Sequence, residues 1–199
     1  MTGPRCGTQE RCGIIGKEFR VNGVNRVYRL FLPNEYVKNV FRVTPDKLKT
    51  NGIRGVITDL DNTLVEWDRP DATEEIITWM QEMREAGIHV TIVSNNNEER
   101  VRAFSDPLGI PFIHNARKPM GKAFRQAVRQ MGIPKDQVVV IGDQLLTDIF
   151  GGNRSGLQTV LVVPVASSDG LATRFNRKVE RIIMKKLKRR GLIDWEEIK

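Results

Sequence analysis

Cysteine is almost missing from this 199-residue chain: the two it has, Cys6 and Cys12, both fall within the first dozen residues. Two thiols at one end build neither a disulfide framework nor a four-ligand zinc site, and a reducing, cytoplasmic setting fits them. Long apolar runs are missing too. The N-terminus carries charged residues and glycine where a secretion signal needs an apolar stretch. Nothing approaches the roughly 18 consecutive apolar residues that cross a bilayer, so neither an export signal nor a membrane span is expected. There is no internal repeat and no low-complexity tract. What remains, 40% hydrophobic and 28% charged residues, is the composition of an ordinary globular domain with enough apolar residues for a core.

The formal net charge of +8 is concentrated in one place. Between Thr173 and Arg190 stand nine basic residues (Arg174, Arg177, Lys178, Arg181, Lys185, Lys186, Lys188, Arg189 and Arg190) and a single acid, Glu180, so the rest of the chain sums to about zero. A basic segment on a neutral body suits a polyanionic partner, either an anionic membrane or RNA. Phe175, Val179, Ile182, Ile183 and Leu187 recur in the same segment at helical spacing. Such a stripe either lies in a membrane interface or packs on the body with its charges solvated.

Residues 1–25 show neither helical nor strand periodicity and are expected to form an extension outside the folded unit. Residues 26–52 read as a helical segment interrupted at Pro33, with a short helix entered through Thr44-Pro45 and left before Gly52. From 53 to 166 strands and helices alternate, which is how an α/β, doubly wound parallel sheet is written. Strands are expected at 55–58, 89–93, 138–141 and 159–163, with a short one near Phe112. Helices are expected at about 72–86, with Ile76, Ile77, Met80 and Met83 inward, around Arg100, at 119–131, and near Asp148. Gly87, Gly109, Gly132 and Gly156 supply the helix exits. Residues 167–199 form the basic amphipathic helix and tail.

The chemistry is written at the strand ends. Gly55-Val-Ile-Thr-Asp-Leu-Asp-Asn-Thr63 runs an apolar strand straight into Asp59 and Asp61, where ligands bind in a doubly wound sheet. One carboxylate can attack phosphorus while the other protonates the leaving oxygen and then activates water. Two acids facing a phosphate repel it unless a cation intervenes, so the reading requires Mg2+. An acid pair at a strand end also serves simply as a polar turn. Three further strand ends favour the chemical reading. Ser94-Asn95-Asn96 offers a hydroxyl and amides to phosphate oxygens, although a lone serine is commonly a helix cap. Lys118 precedes a helix start, where an ammonium stabilises developing negative charge. Gly142-Asp143 ends another apolar strand, with Asp148 five residues on. Asp143 would complete the cation site, and Asp148 would act through water or orient Lys118.

Together and in this order, these motifs resemble those of the haloacid dehalogenase (HAD) superfamily, and more closely its YqeG-type members in subfamily IIIA. The similar segments are 31–38, 58–67, 94–96, 118–119, 142–148 and 174–178, so the resemblance runs from about Arg26 to the C-terminus. It implies Asp59 as nucleophile and metal ligand, and Asp61 as acid/base and a ligand through its backbone carbonyl. Asp143 is the remaining ligand for Mg2+. Thr63, Ser94, Asn95 and Lys118 are the implied phosphate binders. The second acid of the first motif implies phosphoester chemistry rather than dehalogenation.

The spacing leaves no room for a cap domain between Asp61 and Ser94 or between Ser94 and Lys118. An uncapped site of this kind excludes water by docking onto something large, a macromolecule or a lipid head group. The YqeG-type family is similar to the mitochondrial and plastid enzymes that convert phosphatidylglycerophosphate to phosphatidylglycerol. The resemblance thus implies a phospholipid substrate, met at the inner face of the membrane through the 173–190 helix. Phosphatases of proteins, nucleic-acid ends or soluble esters are the alternative within enzymes. An RNA- or ribosome-binding protein is the alternative outside them. No candidate site residue falls in 173–190, so that helix is expected to be dispensable for hydrolysis of a small ester.

Overall fold

Val, Ile and Thr fill two short runs, Gly55–Thr58 (β2) and Val138–Gly142 (β5), and both are buried at every position, as central strands of a parallel sheet must be. The computed structural model describes residues 25–166 and 171–193; the expected N-terminal extension, Asn25 apart, lies outside the described residues. Around the central pair stand Glu35–Val37 (β1), His89–Val93 (β3), Phe112–Ile113 (β4) and Gln158–Val162 (β6). All neighbours pair in parallel in the order β1-β6-β5-β2-β3-β4, and β2 pairs with β5 from Gly55↔Val138 to Thr58↔Ile141. The chain moves outward one way through β3 and β4 and the other way through β5 and β6. The switch point therefore lies between β2 and β5, beyond whose carboxyl ends a crevice forms.

The helices are Arg26–Arg29 (α1), Pro45–Thr50 (α2), Glu74–Glu85 (α3), Glu98–Ser105 (α4), Gly121–Met131 (α5), Phe150–Ser155 (α6) and Leu171–Arg189 (α7). Alternation along the strands sends side chains to two cores. Val56, Val139 and Ile141 join Ile76, Trp79, Met83 and Phe104 on one face, while Ile57, Val138 and Val140 join Phe124 and Ala127 on the other. The four glycine exits all take positive φ, from 63° at Gly109 to 75° at Gly156.

Two expectations are corrected. The 26–52 segment is not simply helical: after the four-residue α1, Glu35–Val37 joins the sheet. Its local pattern matters less than the open edge of β6, whose backbone groups need partners. Asn34 supplies two of them, its N–H donating to the Thr159 carbonyl at 2.9 Å and its side chain accepting from the Thr159 N–H at 2.8 Å. On α3, Ile77 is exposed, and Trp79 is buried in its stead with its indole N–H donating to the Val43 carbonyl at 2.9 Å.

The C-terminal helix packs on the body. Leu187 is buried with Leu32 and Ile193, and Ile183 and Met184 close over Phe31, Leu145, Ile149 and Leu161. The side chain of Phe175 lies outside the described residues. Ile182 points outward among Lys178, Arg181, Lys185, Lys186 and Arg189, all exposed. Packing on the body thus accounts for Ile183 and Leu187 of the apolar stripe. Among the described residues no helix is long and apolar enough to cross a membrane.

Candidate active site

The end of β2 delivers Asp59 into the crevice while its backbone stays in the sheet, its N–H donating to the Ile141 carbonyl at 3.0 Å. The carboxylate is buried. Its Oδ1 accepts from the Leu60 N–H at 2.8 Å and from Lys118 Nζ at 2.9 Å. Beyond it the chain turns tightly, with Asn62 at φ 61°, a left-handed conformation that asparagine tolerates. The turn brings the Asp61 carboxylate to Asn96 and to Arg100 of α4. There Asp61 Oδ1 accepts from Arg100 Nε at 3.2 Å and pairs with Nη2 at 3.0 Å, and Oδ2 accepts from Asn96 Nδ2 at 3.0 Å. Arg100 also donates to the Pro70 carbonyl at 3.3 Å and so ties Asp61 to the connection between β2 and α3.

Lys118 is brought in from the loop after β4. Asn95 grips its peptide at both ends, accepting from the Lys118 N–H at 2.6 Å and donating to its carbonyl at 3.2 Å. The ammonium then lies between two carboxylates, 2.9 Å from Asp59 Oδ1 and 2.7 Å from Asp148 Oδ1. Burial alone would lower its pKa, but Asp148 and Asp59 outweigh burial and raise it, so Lys118 is charged.

Asp148 reaches this position through local geometry at the end of β5. A wide π turn, Leu145–Ile149, opens α6 and folds Asp148 back over Gly142. A Cβ on residue 142 would lie 2.3 Å from Asp148 Cγ, so glycine is required there. Asp143 follows at once and is fully enclosed. The Thr63 hydroxyl donates to its Oδ1 at 3.0 Å, and Arg177 of α7 donates to its carbonyl at 2.7 Å and to its Oδ2.

Oxygens of Asp59, Asp143 and Asp148 thus lie within 4.8 Å of one another, all three residues buried. Burial pushes the Asp59 carboxyl up to about 8, against the opposing pull of Lys118 and with further upward push from Asp148 and Asp143. Burial likewise pushes Asp143 up to about 6, with Arg177 holding it down and Asp148 adding to the rise. Three carboxylates face one ammonium and the Arg177 guanidinium, so with all of them ionised one negative charge is in excess. An all-oxygen donor set of this kind fits a hard divalent cation.

The expected site residues therefore converge, but not all with the expected contacts. Asp59, Lys118, Asp143 and Asp148 form the buried centre; Ser94 is buried just past the end of β3, its Oγ accepting from the Asn96 N–H at 3.0 Å. Asn95 and Thr63, expected on phosphate, have their side chains on the Lys118 peptide and on Asp143. The α7 helix, expected to be apart from the chemistry, touches it through Arg177, with Glu180 Oε1 accepting from the Leu146 N–H at 3.0 Å. Glu180 carried a signal: it is the lone acid among the nine bases, three residues from Arg177, and it is buried.

Residues 34–156 match the model of the haloacid dehalogenase-like hydrolases. The chain is 68% identical over 169 residues, 85% of its length and 98% of the relative's, to "Probable phosphatase YqeG" of Bacillus subtilis (strain 168). It is 26% identical over 92% of its length to the chloroplastic/mitochondrial phosphatidylglycerophosphate phosphatase 1 of Arabidopsis thaliana, and spans 56% of that protein. The cobalt-bound deoxy-D-mannose-octulosonate 8-phosphate phosphatase of Haemophilus influenzae superposes with a TM-score of 0.49 at 18% identity, covering 74% of this chain and 93% of the other. A buried strand-end acid paired to a lysine, a second acid two residues on and a family match across the same segment lead to one assignment: the chain belongs to the haloacid dehalogenase-like hydrolases, among their YqeG-like phosphatases.

Proposed function

We propose that the protein is a Mg2+-dependent phosphomonoester hydrolase that works through a phosphorylated Asp59. The observation that carries this is the Lys118 ammonium held between Asp59 and Asp148 beside Asp143, a cleft whose excess negative charge calls for a cation. Asp59, Asp143 and the Asp61 carbonyl would hold Mg2+, which when bound would neutralise these acids and polarise the phosphoryl group. The chain's own residues do the rest. The Asp59 carboxylate attacks phosphorus, and the bond to the leaving oxygen breaks as that oxygen takes the proton of Asp61. Asp61 then removes a proton from water, whose oxygen attacks phosphorus and frees Asp59 and inorganic phosphate. Lys118 and the Ser94 hydroxyl offset charge on the phosphoryl oxygens. Arg100 and Asn96 aim Asp61.

Phosphatidylglycerophosphate at an anionic membrane surface is the substrate this reading favours. Two features support it: the relative of that name in Arabidopsis thaliana, and the lack of room for a cap domain, since only α3, β3, α4 and β4 with short connections stand between Asp61 and Lys118. The exposed bases of α7 suit the same surface, each contributing on the order of 1 kcal/mol near anionic lipid. The test is phosphate release from vesicles containing that lipid, compared with a panel of soluble phosphoesters and phosphorylated RNA ends. Asp59→Asn and chelation of Mg2+ should each abolish release; near-normal turnover by Asp59→Asn would end the mechanism. Reversing Lys185, Lys186 and Arg189 to Glu should slow the vesicle reaction and leave soluble esters unaffected. Co-sedimentation with RNA but not with vesicles would transfer the basic face to nucleic acid.

A further inference from the structure

We infer that Arg177 is a positioning residue through which the C-terminal helix sets the cation affinity of the active site. The inference rests on the reading of Asp143 as a ligand of the divalent cation. Arg177 makes an unusual pair of contacts with one residue: Nη1 donates to the Asp143 backbone carbonyl at 2.7 Å, and Nη2 donates to the carboxylate Oδ2 of the same aspartate. A planar two-nitrogen fork that bridges a residue's carbonyl and its own carboxylate fixes the side-chain torsion against the backbone. Thr63 holds the opposite oxygen, Oδ1, at 3.0 Å, so both ends of the carboxylate are assigned a direction.

Glu180 completes the clamp. One helical turn along α7, its Oε2 pairs with Arg177 Nη1 at 3.3 Å and its Oε1 accepts from the Leu146 N–H at 3.0 Å. The helix thus grips the turn after β5 at Asp143 and again at Leu146. Glu180 is itself buried and Leu187 anchors the helix further along, so these contacts belong to the packed face of α7 and not to its solvated one. Asp143 contributes from a side chain with 0% exposure. A ligand that must neither rotate nor be reached by water needs such partners, and their loss elsewhere weakens metal affinity by about 10–100-fold.

The test is calorimetric titration of Mg2+ into the full-length protein freed of metal, with thermal unfolding measured on each variant. Arg177→Ala should weaken Mg2+ by about 10–100-fold. Arg177→Lys should weaken it nearly as much, because one ammonium cannot bridge the two oxygens in a plane, although the charge is kept. Glu180→Gln keeps the Leu146 contact and should weaken it less than either. Mg2+ affinity at the wild-type level or above in both Arg177 variants, with Asp143→Asn impaired, would overturn the inference and leave the ligand reading standing. Wild-type affinity in Asp143→Asn would overturn the ligand reading beneath it. If Arg177→Ala does not fold, Arg177→Lys decides alone.

Discussion

Replacing Lys118 with methionine tests the electrostatics of the cleft most directly. Methionine keeps most of the side-chain volume and removes the one charge that lies between Asp59 and Asp148. Those two contacts are 2.9 and 2.7 Å, and the three side chains are 2%, 7% and 1% exposed, so water cannot replace the ammonium. Breaking a buried pair by removing one partner costs about 3–5 kcal/mol, because the other charge is left unpaired. The sign of its pH dependence follows from Asp59. Its carboxyl is already pushed up to about 8 in the fold, against an ordinary value near 3.8, and loss of Lys118 pushes it further. A carboxyl raised in the folded state favours folding at low pH and loses that contribution as pH rises. The Asp59 part of the cost of Lys118→Met should therefore be absent near pH 6, where Asp59 is protonated in either protein, and present near pH 9, above its value in the wild type. Urea unfolding of both proteins in chelator at the two pH values measures it. A cost equal at both pH values would refute the pairing of Lys118 with Asp59, and one below about 1 kcal/mol at both would make the buried contacts no stronger than an exposed pair.

Glu180 gives a second pH signature. Burial pushes its carboxyl up to about 7, so the fold loses stability as pH climbs from about 4.5 to about 7, by up to about 3 kcal/mol; Glu180→Gln should remove this part of the fall in melting temperature and leave the part due to Asp59 and Asp143. Gly142→Ala places a Cβ 2.3 Å from Asp148 Cγ and 2.4 Å from its Cβ, so shortening Asp148 gives no relief; unfolding should show a cost of about 1–3 kcal/mol, with activity falling as Lys118 loses its partner. Leu187→Ala should cost about 2–5 kcal/mol in a denaturant titration, which a helix merely resting on a membrane would not.

Much of this arrangement is legible along the chain because parallel sheets write their chemistry in order. A buried β run followed at once by an acid marks a strand end at the crevice, and this holds at Thr58-Asp59 and at Gly142-Asp143. The glycine exits are legible for an equally local reason, since a positive φ after a helix admits few other residues. Contacts between distant segments leave no such mark. Glu35–Val37 is a strand only because β6 presents an open edge to it, and α3 turns Trp79 inward in place of Ile77 because the Val43 carbonyl accepts its indole N–H. Asn95 stands where an amide at a strand end often faces a ligand. Its partner is a peptide 23 residues away, and no spacing rule points to it.

The same distinction explains why α7 reads ambiguously from sequence. An amphipathic stripe records that one face of a helix avoids water, but not what covers it: lipid and a protein core ask for the same residues. Acidic residues discriminate better. A carboxylate facing an anionic interface is repelled, and a carboxylate buried in a core needs a cation and a donor beside it. Glu180 has both, in Arg177 and the Leu146 N–H, and the apolar side chains of its face, Ile183, Met184 and Leu187, are packed as well. The bases divide by the same criterion. Arg177 lies on the acid's side and reaches Asp143, whereas Lys178, Arg181, Lys185, Lys186 and Arg189 point to solvent. One helix can therefore brace the turn after β5 with its inner face while its outer face stays charged and exposed.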